Sequence, residues 1–145
     1  MRAVVCTKYG PPEVLKILEI EKPVPRDNEV LIKVRATTVT SADSRIRGFR
    51  VPFSFWIPGR IALGFTRPKR AVLGSELSGE IESMGKNVKL FKAGDPVIGY
   101  LGHDLFGAYG EYACMADTGC LVIKPQSLTF EQAATIGMRR TTIST

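Results

Sequence analysis

Between Gly74 and Asp95 the chain reads Gly-Ser-Glu-Leu-Ser-Gly-Glu-Ile-Glu-Ser-Met-Gly-Lys-Asn-Val-Lys-Leu-Phe-Lys-Ala-Gly-Asp. Its first half alternates as a strand does. Leu77 and Ile81 fall on one face, and Glu76, Ser78, Glu80 and Glu82 on the other. Glycine weakens a strand, so Gly74, Gly79 and Gly85 in and around this one point to bulges or to a second backbone passing close by. Residues 85–89 read as a basic hairpin-like turn. Residues 91–96 form a further turn into the apolar strand 97–101. The stretch therefore predicts a twisted two-strand unit, which any β-domain could contain.

The flanks extend this reading. Residues 2–7 and 15–20 predict two short strands joined by the turn Tyr9-Gly10-Pro11-Pro12. Lys22-Pro23-Val24-Pro25 is extended, because proline turns the residue before it away from helix. Residues 28–39 give the cleanest strand: Val30, Ile32, Val34 and Ala36 alternate with Leu31, Lys33, Arg35 and Thr37. Thr40 or Ser41 caps a short helix that Gly48 ends. Residues 49–72 carry Phe53, Phe55, Trp56 and Phe65, broken by Pro52, Pro58 and Pro68. No period is evident there, and an irregular loop is expected. Strands follow at 109–116 and 121–123. Thr129-Phe130-Glu131-Gln132 is a capping box that opens a helix reaching Ile136. About seven short strands and two short helices predict a mainly-β barrel or sandwich.

Composition narrows the function classes. A chain of 145 residues can bury a real core. No apolar run approaches the roughly 20 residues that span a bilayer, so no membrane partner is expected. The opening residues lack the apolar core of a signal peptide. Cys6, Cys114 and Cys120 form neither a Cys-x-x-Cys pair nor an even framework, which suits a reduced, cytoplasmic setting. The net charge is +6, with much of the excess in residues 45–70. No aromatic stacking series accompanies it, so nucleic acid is not the expected partner. An anionic cofactor would suit the same field. His103, the only histidine, reads as a solvated loop residue rather than a general acid.

Several stretches, taken in order, resemble the N-terminal catalytic domain of the medium-chain dehydrogenase/reductase superfamily. They are the opening strand, the proline-rich turn before Asn28-Glu29-Val30, the turn of residues 40–43, Gly74-Ser75-Glu76 with Gly79, Gly85, and Phe91 with Gly94-Asp95-Pro96-Val97. Gly110-Glu111-Tyr112 and Pro125 with Ala133-Ala134 complete the set. The resemblance implies a mainly-β, GroES-like, partly open β-barrel with two or more short helices over residues 1–136. It makes 137–145 the stub of a crossover to a Rossmann cofactor domain. No Gly-x-Gly-x-x-Gly occurs in the sequence.

The resemblance also implies a site. Zinc-dependent members place a cysteine where this chain has Thr40 and a histidine where it has Ser75. Neutral hydroxyls are poor zinc ligands. The hydroxyl that relays a proton in those enzymes falls at Ala42, and the four-cysteine structural zinc lobe is absent. No metal is therefore expected, and the chain resembles the zinc-independent quinone oxidoreductase branch. That branch implies NADPH, with Thr40, Arg45 and Thr142 at the cofactor. Ser75 and Glu76 would face an apolar carbonyl, enone or quinone, and Phe53 and Trp56 would either wall that substrate or belong to a loop that plugs one end of the barrel. The chain alone is expected to be inactive and to hold no cofactor tightly, with a homodimer as its expected association. The alternative is a stand-alone GroES-like binding or assembly module.

Overall fold

A computed structural model describes residues 1–50, 52, 54, 56–102 and 106–136. Among the described residues there are seven strands: β1 (Arg2–Cys6), β2 (Leu15–Glu19), β3 (Glu29–Thr37), β4 (Glu76–Met84), β5 (Pro96–Tyr100), β6 (Tyr112–Ala116) and β7 (Cys120–Ile123). The described helices are α1 (Ser41–Arg47), α2 (Trp56–Leu63) and α3 (Phe130–Ala134), with a 3-10 turn at Pro12–Val14. β1 and β2 form a two-stranded ribbon. The other five strands form one antiparallel sheet in the order β6-β3-β4-β5-β7, curled into a half-barrel. Single bridges from Ala3 to Gly110 and from Val5 to Val72 tie the ribbon to the segments that lead into β6 and β4.

β4 occupies the centre of the sheet. Leu77 and Ile81 are fully buried and pack with Val30 and Ile32 of β3, Val97 of β5, Met115 of β6 and Leu121 of β7. The glycines act as close-approach points. A Cβ on Gly79 would stand 2.2 Å from the Lys33 carbonyl oxygen, and the β3–β4 register shifts on either side of it. Gly85 meets the Arg26 and Asp27 carbonyls in the same way, and Gly74, at φ 89°, meets the Tyr109 ring.

The expected outward face of β4 holds only in part. Glu80 and Glu82 pair with Arg35 and Lys22, both at 2.7 Å, near the surface. Glu76 and Ser78 are buried instead. Ser78 lies under α3, which packs on β4, β3 and β5 and brings the Phe130 carbonyl to 2.5 Å from the Ser78 hydroxyl that donates to it. The Thr129 capping box holds this helix: Thr129 Oγ1 accepts from Gln132 N, and Gln132 Oε1 accepts from Thr129 N. α3 ends at Ala134, short of the expected Ile136.

Residues 49–72 depart further from expectation, because α2 lies within them. Pro58 sits in its first turn, where the missing N–H would have had no helical partner. The helix buries no apolar stripe: Trp56, Ile57 and Ile61 are all exposed. A helix that hides no face leaves no period to read. Phe53 and His103 lie outside the described residues.

Candidate active-site rim and the adjoining cavity

β3 and β4 pair as far as Thr37 against Leu77. The β3–β4 pairing therefore ends at this rim, where Glu76, still paired with Tyr100 of β5, meets residues 37 and 38 beside Ser75. The Thr37 hydroxyl donates to the Glu76 carbonyl at 2.7 Å, and the Thr38 hydroxyl donates to Glu76 Oε2 in a short hydrogen bond. Ser75 is buried beside it, its carbonyl accepting from Leu101 N at 2.7 Å. The buried carboxylate of Glu76 is thus held by one hydroxyl, that of Thr38, rather than by a cation.

Thr40 is the N-cap of α1. Its hydroxyl accepts from Asp43 N at 3.3 Å and donates to Asp43 Oδ2 at 2.7 Å, and that same carboxylate oxygen accepts from Thr40 N at 2.8 Å. This reciprocal cap means that the one donor of the Thr40 hydroxyl is already engaged. Arg45 lies on the exposed side of α1, in its last turn, where a cation suits the helix dipole. Thr142 lies outside the described residues. Zinc does not fit this rim. Its ligand positions carry hydroxyls, and among the described residues no group of three or more His, Cys, Asp or Glu is placed to hold a metal ion.

Trp56 belongs to a different cluster. Its ring meets Phe49 edge-on at 6.3 Å between centroids. Arg60 lies over three rings, with its guanidinium carbon 4.0 Å from the Phe49 centroid, 4.8 Å from Tyr9 and 5.2 Å from Trp56, and it donates to the Phe65 carbonyl. A cation over a cluster of tilted and edge-on rings makes this a packing device that fastens α2 to residues 9 and 49.

Below α1 lies a cavity of about 600 Å³, bounded by β1, β2, the second half of β3 and residues 108–111. Its walls are mostly apolar. At one end stand Asp43, Arg47 and Tyr109, and Asp43 Oδ1, Arg47 Nε and the Tyr109 hydroxyl are buried. Burial first, and then the charge and hydrogen-bonding carboxylate of the nearby Asp43, push the Tyr109 pKa well up, so the Tyr109 hydroxyl and the Asp43 carboxylate lie within reach of each other. The sequence reading singled out none of these three groups. The only sequence signal was the Thr-x-x-Asp spacing, an acidic version of the capping box, and it concerns Oδ2 rather than Oδ1.

Residues 26–125 match the family model of the alcohol dehydrogenase GroES-like domain, and the chain belongs to that family. The quinone oxidoreductase of Homo sapiens is 37% identical over 142 residues, covering 95% of this chain and 38% of that protein. A chloroplastic quinone-oxidoreductase homolog of Spinacia oleracea is 28% identical over 137 residues, covering 94% of this chain and 38% of that protein. Among solved structures, the quinone oxidoreductase from Coxiella burnetii superposes with a TM-score of 0.78 at 30% identity, over 93% of this chain and 40% of that one. The Escherichia coli quinone oxidoreductase complexed with NADPH gives 0.74 at 27% identity, over 92% and 36%. The chain spans about 38% of the length of the curated relatives it matches. No described helix is long and apolar enough to cross a membrane.

Proposed function

We propose that the chain supplies the substrate-side domain of a zinc-independent, NAD(P)H-dependent reductase of apolar carbonyls, enones or quinones. The observation that carries this reading is the hydroxyl rim. Thr40 and Ser75 stand where zinc-dependent relatives carry ligands, and the Thr40 hydroxyl is engaged by its own helix cap. In this reading residues 1–136 form the domain and 137–145 lead toward a nucleotide-binding partner domain. NADPH, when bound, supplies the hydride.

This chain's own residues bind and orient. Arg45 offers a guanidinium to a cofactor phosphate, and Thr142 is the third cofactor contact. Thr40, its donor held by Asp43, presents its methyl group and remaining lone pair to the nicotinamide. Ser75 and Glu76 form the polar floor beneath the substrate, with Phe53 and Trp56 as apolar walls that exclude water. The exposed apolar residues of α2 support a homodimer, and the free, unbridged cysteines suit a cytoplasmic setting.

The test compares the chain alone with the chain joined in frame to the nucleotide-binding part of a quinone oxidoreductase relative. The chain alone is expected to show neither saturable NADPH binding by calorimetry nor quinone turnover. The joined protein is expected to reduce quinones with NADPH and without added metal. A joined protein that binds NADPH yet reduces no quinone or enone would contradict the proposal. So would turnover that requires zinc.

A further inference from the structure

We infer that the face formed by α2 and the loop after it docks on an anionic lipid surface, lying at the headgroup level of a membrane without crossing it. Two observations meet on this face. The first is charge. Residues 44–75 hold seven arginines and lysines and no aspartate or glutamate, which exceeds the whole net charge of +6. Among the described residues none of the seven pairs with a carboxylate, whereas Arg2, Lys22, Arg35 and Lys86 each do. Arg50, Arg67, Lys69 and Arg70 are exposed. The second is apolar exposure. Ile57 and Ile61, one turn apart on the same side of α2, are 69% and 58% exposed, and Phe65 is 72% exposed. The fold holds this face in place. Arg60 donates to the Phe65 carbonyl, and Lys69 Nζ donates to the Ile61 carbonyl at 2.7 Å, so the loop folds back beside the helix. Gly64, at φ 116°, ends α2, and its carbonyl accepts from the Tyr9 hydroxyl at 3.0 Å.

Cations around exposed apolar side chains require a partner that is anionic at its face and apolar beneath it. A layer of anionic headgroups is such a partner: the cations meet its charge while Ile57, Ile61 and Phe65 enter the boundary with the acyl chains. Nucleic acid would meet the charge alone. Its bases stack on flat rings and guanidinium planes, and offer nothing to the branched Ile57 and Ile61. A second copy of the chain could cover the same apolar residues, but pairing this face with itself sets the same cations against one another. An anionic surface is therefore favoured over the homodimer wherever one is present. At eight residues α2 is about 12 Å long, too short to span a bilayer, and spanning is the only membrane role that the sequence argued against. Trp56 keeps its place against Phe49 and Arg60 in this arrangement. The inference does not depend on the reductase reading.

The test follows this chain on phosphatidylcholine vesicles made with and without phosphatidylserine. Binding is read by flotation and by the emission of Trp56, the only tryptophan, which adjoins Ile57. Binding is expected to be at least about tenfold tighter with phosphatidylserine, to shift the Trp56 emission to the blue, and to weaken steeply as salt is raised. Two double variants separate the contributions: Ile57→Ser with Phe65→Ser, and Arg67→Gln with Arg70→Gln. All four side chains are exposed, so the fold should survive. Each pair should weaken binding to the anionic vesicles about tenfold or more, and the first should also remove the blue shift. A short DNA duplex serves as the competing polyanion. Equal binding to the two kinds of vesicle, flotation with neither, binding unaltered in either double variant, or a duplex that binds more tightly than the anionic vesicles would each overturn the proposal.

Discussion

Asp43 joins two regions that treat their polar groups in opposite ways. On the rim side, its Oδ2 accepts both the backbone N–H and the hydroxyl of Thr40, while Glu76 nearby accepts from Thr38. On the cavity side, its Oδ1 is buried, as are Arg47 Nε and the hydroxyl of the nearby Tyr109. The carboxylates of both regions, Glu76 and Asp43, are buried, and both regions adjoin the seven-residue α1. The difference is that the rim is closed by well-formed hydrogen bonds between neighbouring residues, whereas at the cavity end Asp43, Arg47 and Tyr109 keep polar atoms buried in a mostly apolar wall.

The sharpest way to break the rim is to disturb the strand beneath it. Gly79→Ala places a Cβ 2.2 Å from the Lys33 carbonyl oxygen, and backbone cannot step aside as a side chain can. A loss of about 3 kcal/mol or more is expected in urea denaturation, at the upper end of overpacking effects. Next in size is Thr38→Val, which deprives the buried Glu76 carboxylate of its hydroxyl donor. The expected loss is about 1–3 kcal/mol. Thr38→Ser should restore most of it, which a loss of packing alone would not allow.

Trp56→Ala tests the aromatic cluster, which belongs to neither region. Trp56 is 48% exposed, so its truncation should cost about 2 kcal/mol, roughly half of what a fully buried aromatic costs. In the joined protein, a rise in KM for bulky apolar substrates with small quinones spared would support its role as a wall. An unchanged substrate preference would leave it as packing for Arg60 alone.

The fold was largely legible because β-patterning and close glycine contacts are local signals. Val30, Ile32, Leu77 and Ile81 alternate in the sequence and meet in the core. The Thr129 capping box was readable residue by residue and is present. α2 was not legible, because its apolar residues stay exposed and Pro58 hides in the one turn that tolerates it. The burial of Ser78 depended on α3, some fifty residues further along, packing on the sheet. The cavity was invisible for the same reason. Asp43 and Tyr109 come together only once β1 bridges to Gly110 and the segment leading into β6 folds beneath α1.

Alkaline titration separates the regions by a smaller effect. Burial raises the pKa of Tyr109, and that of Cys114 to about 11, with the Glu29 charge adding to the latter. These acids keep their protons in the folded state when the unfolded chain has begun to lose them. The stability they hold is fully present below their unfolded pKa values and declines as pH rises toward the folded ones. The melting temperature should therefore fall between about pH 9 and 11. Cys114→Ser should blunt that fall, and Tyr109→Phe should remove its upper part. A fall unchanged in both variants would mean that other groups govern it.

The central claim is that the rim works without a metal, because Thr40 and Ser75 present hydroxyls and the Thr40 donor is already engaged. Elemental analysis of the protein, purified without chelator or added metal, measures this directly. The account predicts no stoichiometric zinc, and none retained after the chain is exposed to equimolar zinc and desalted. One tightly held zinc per chain, lost on substitution of Thr40, Ser75 or Glu76, would contradict it.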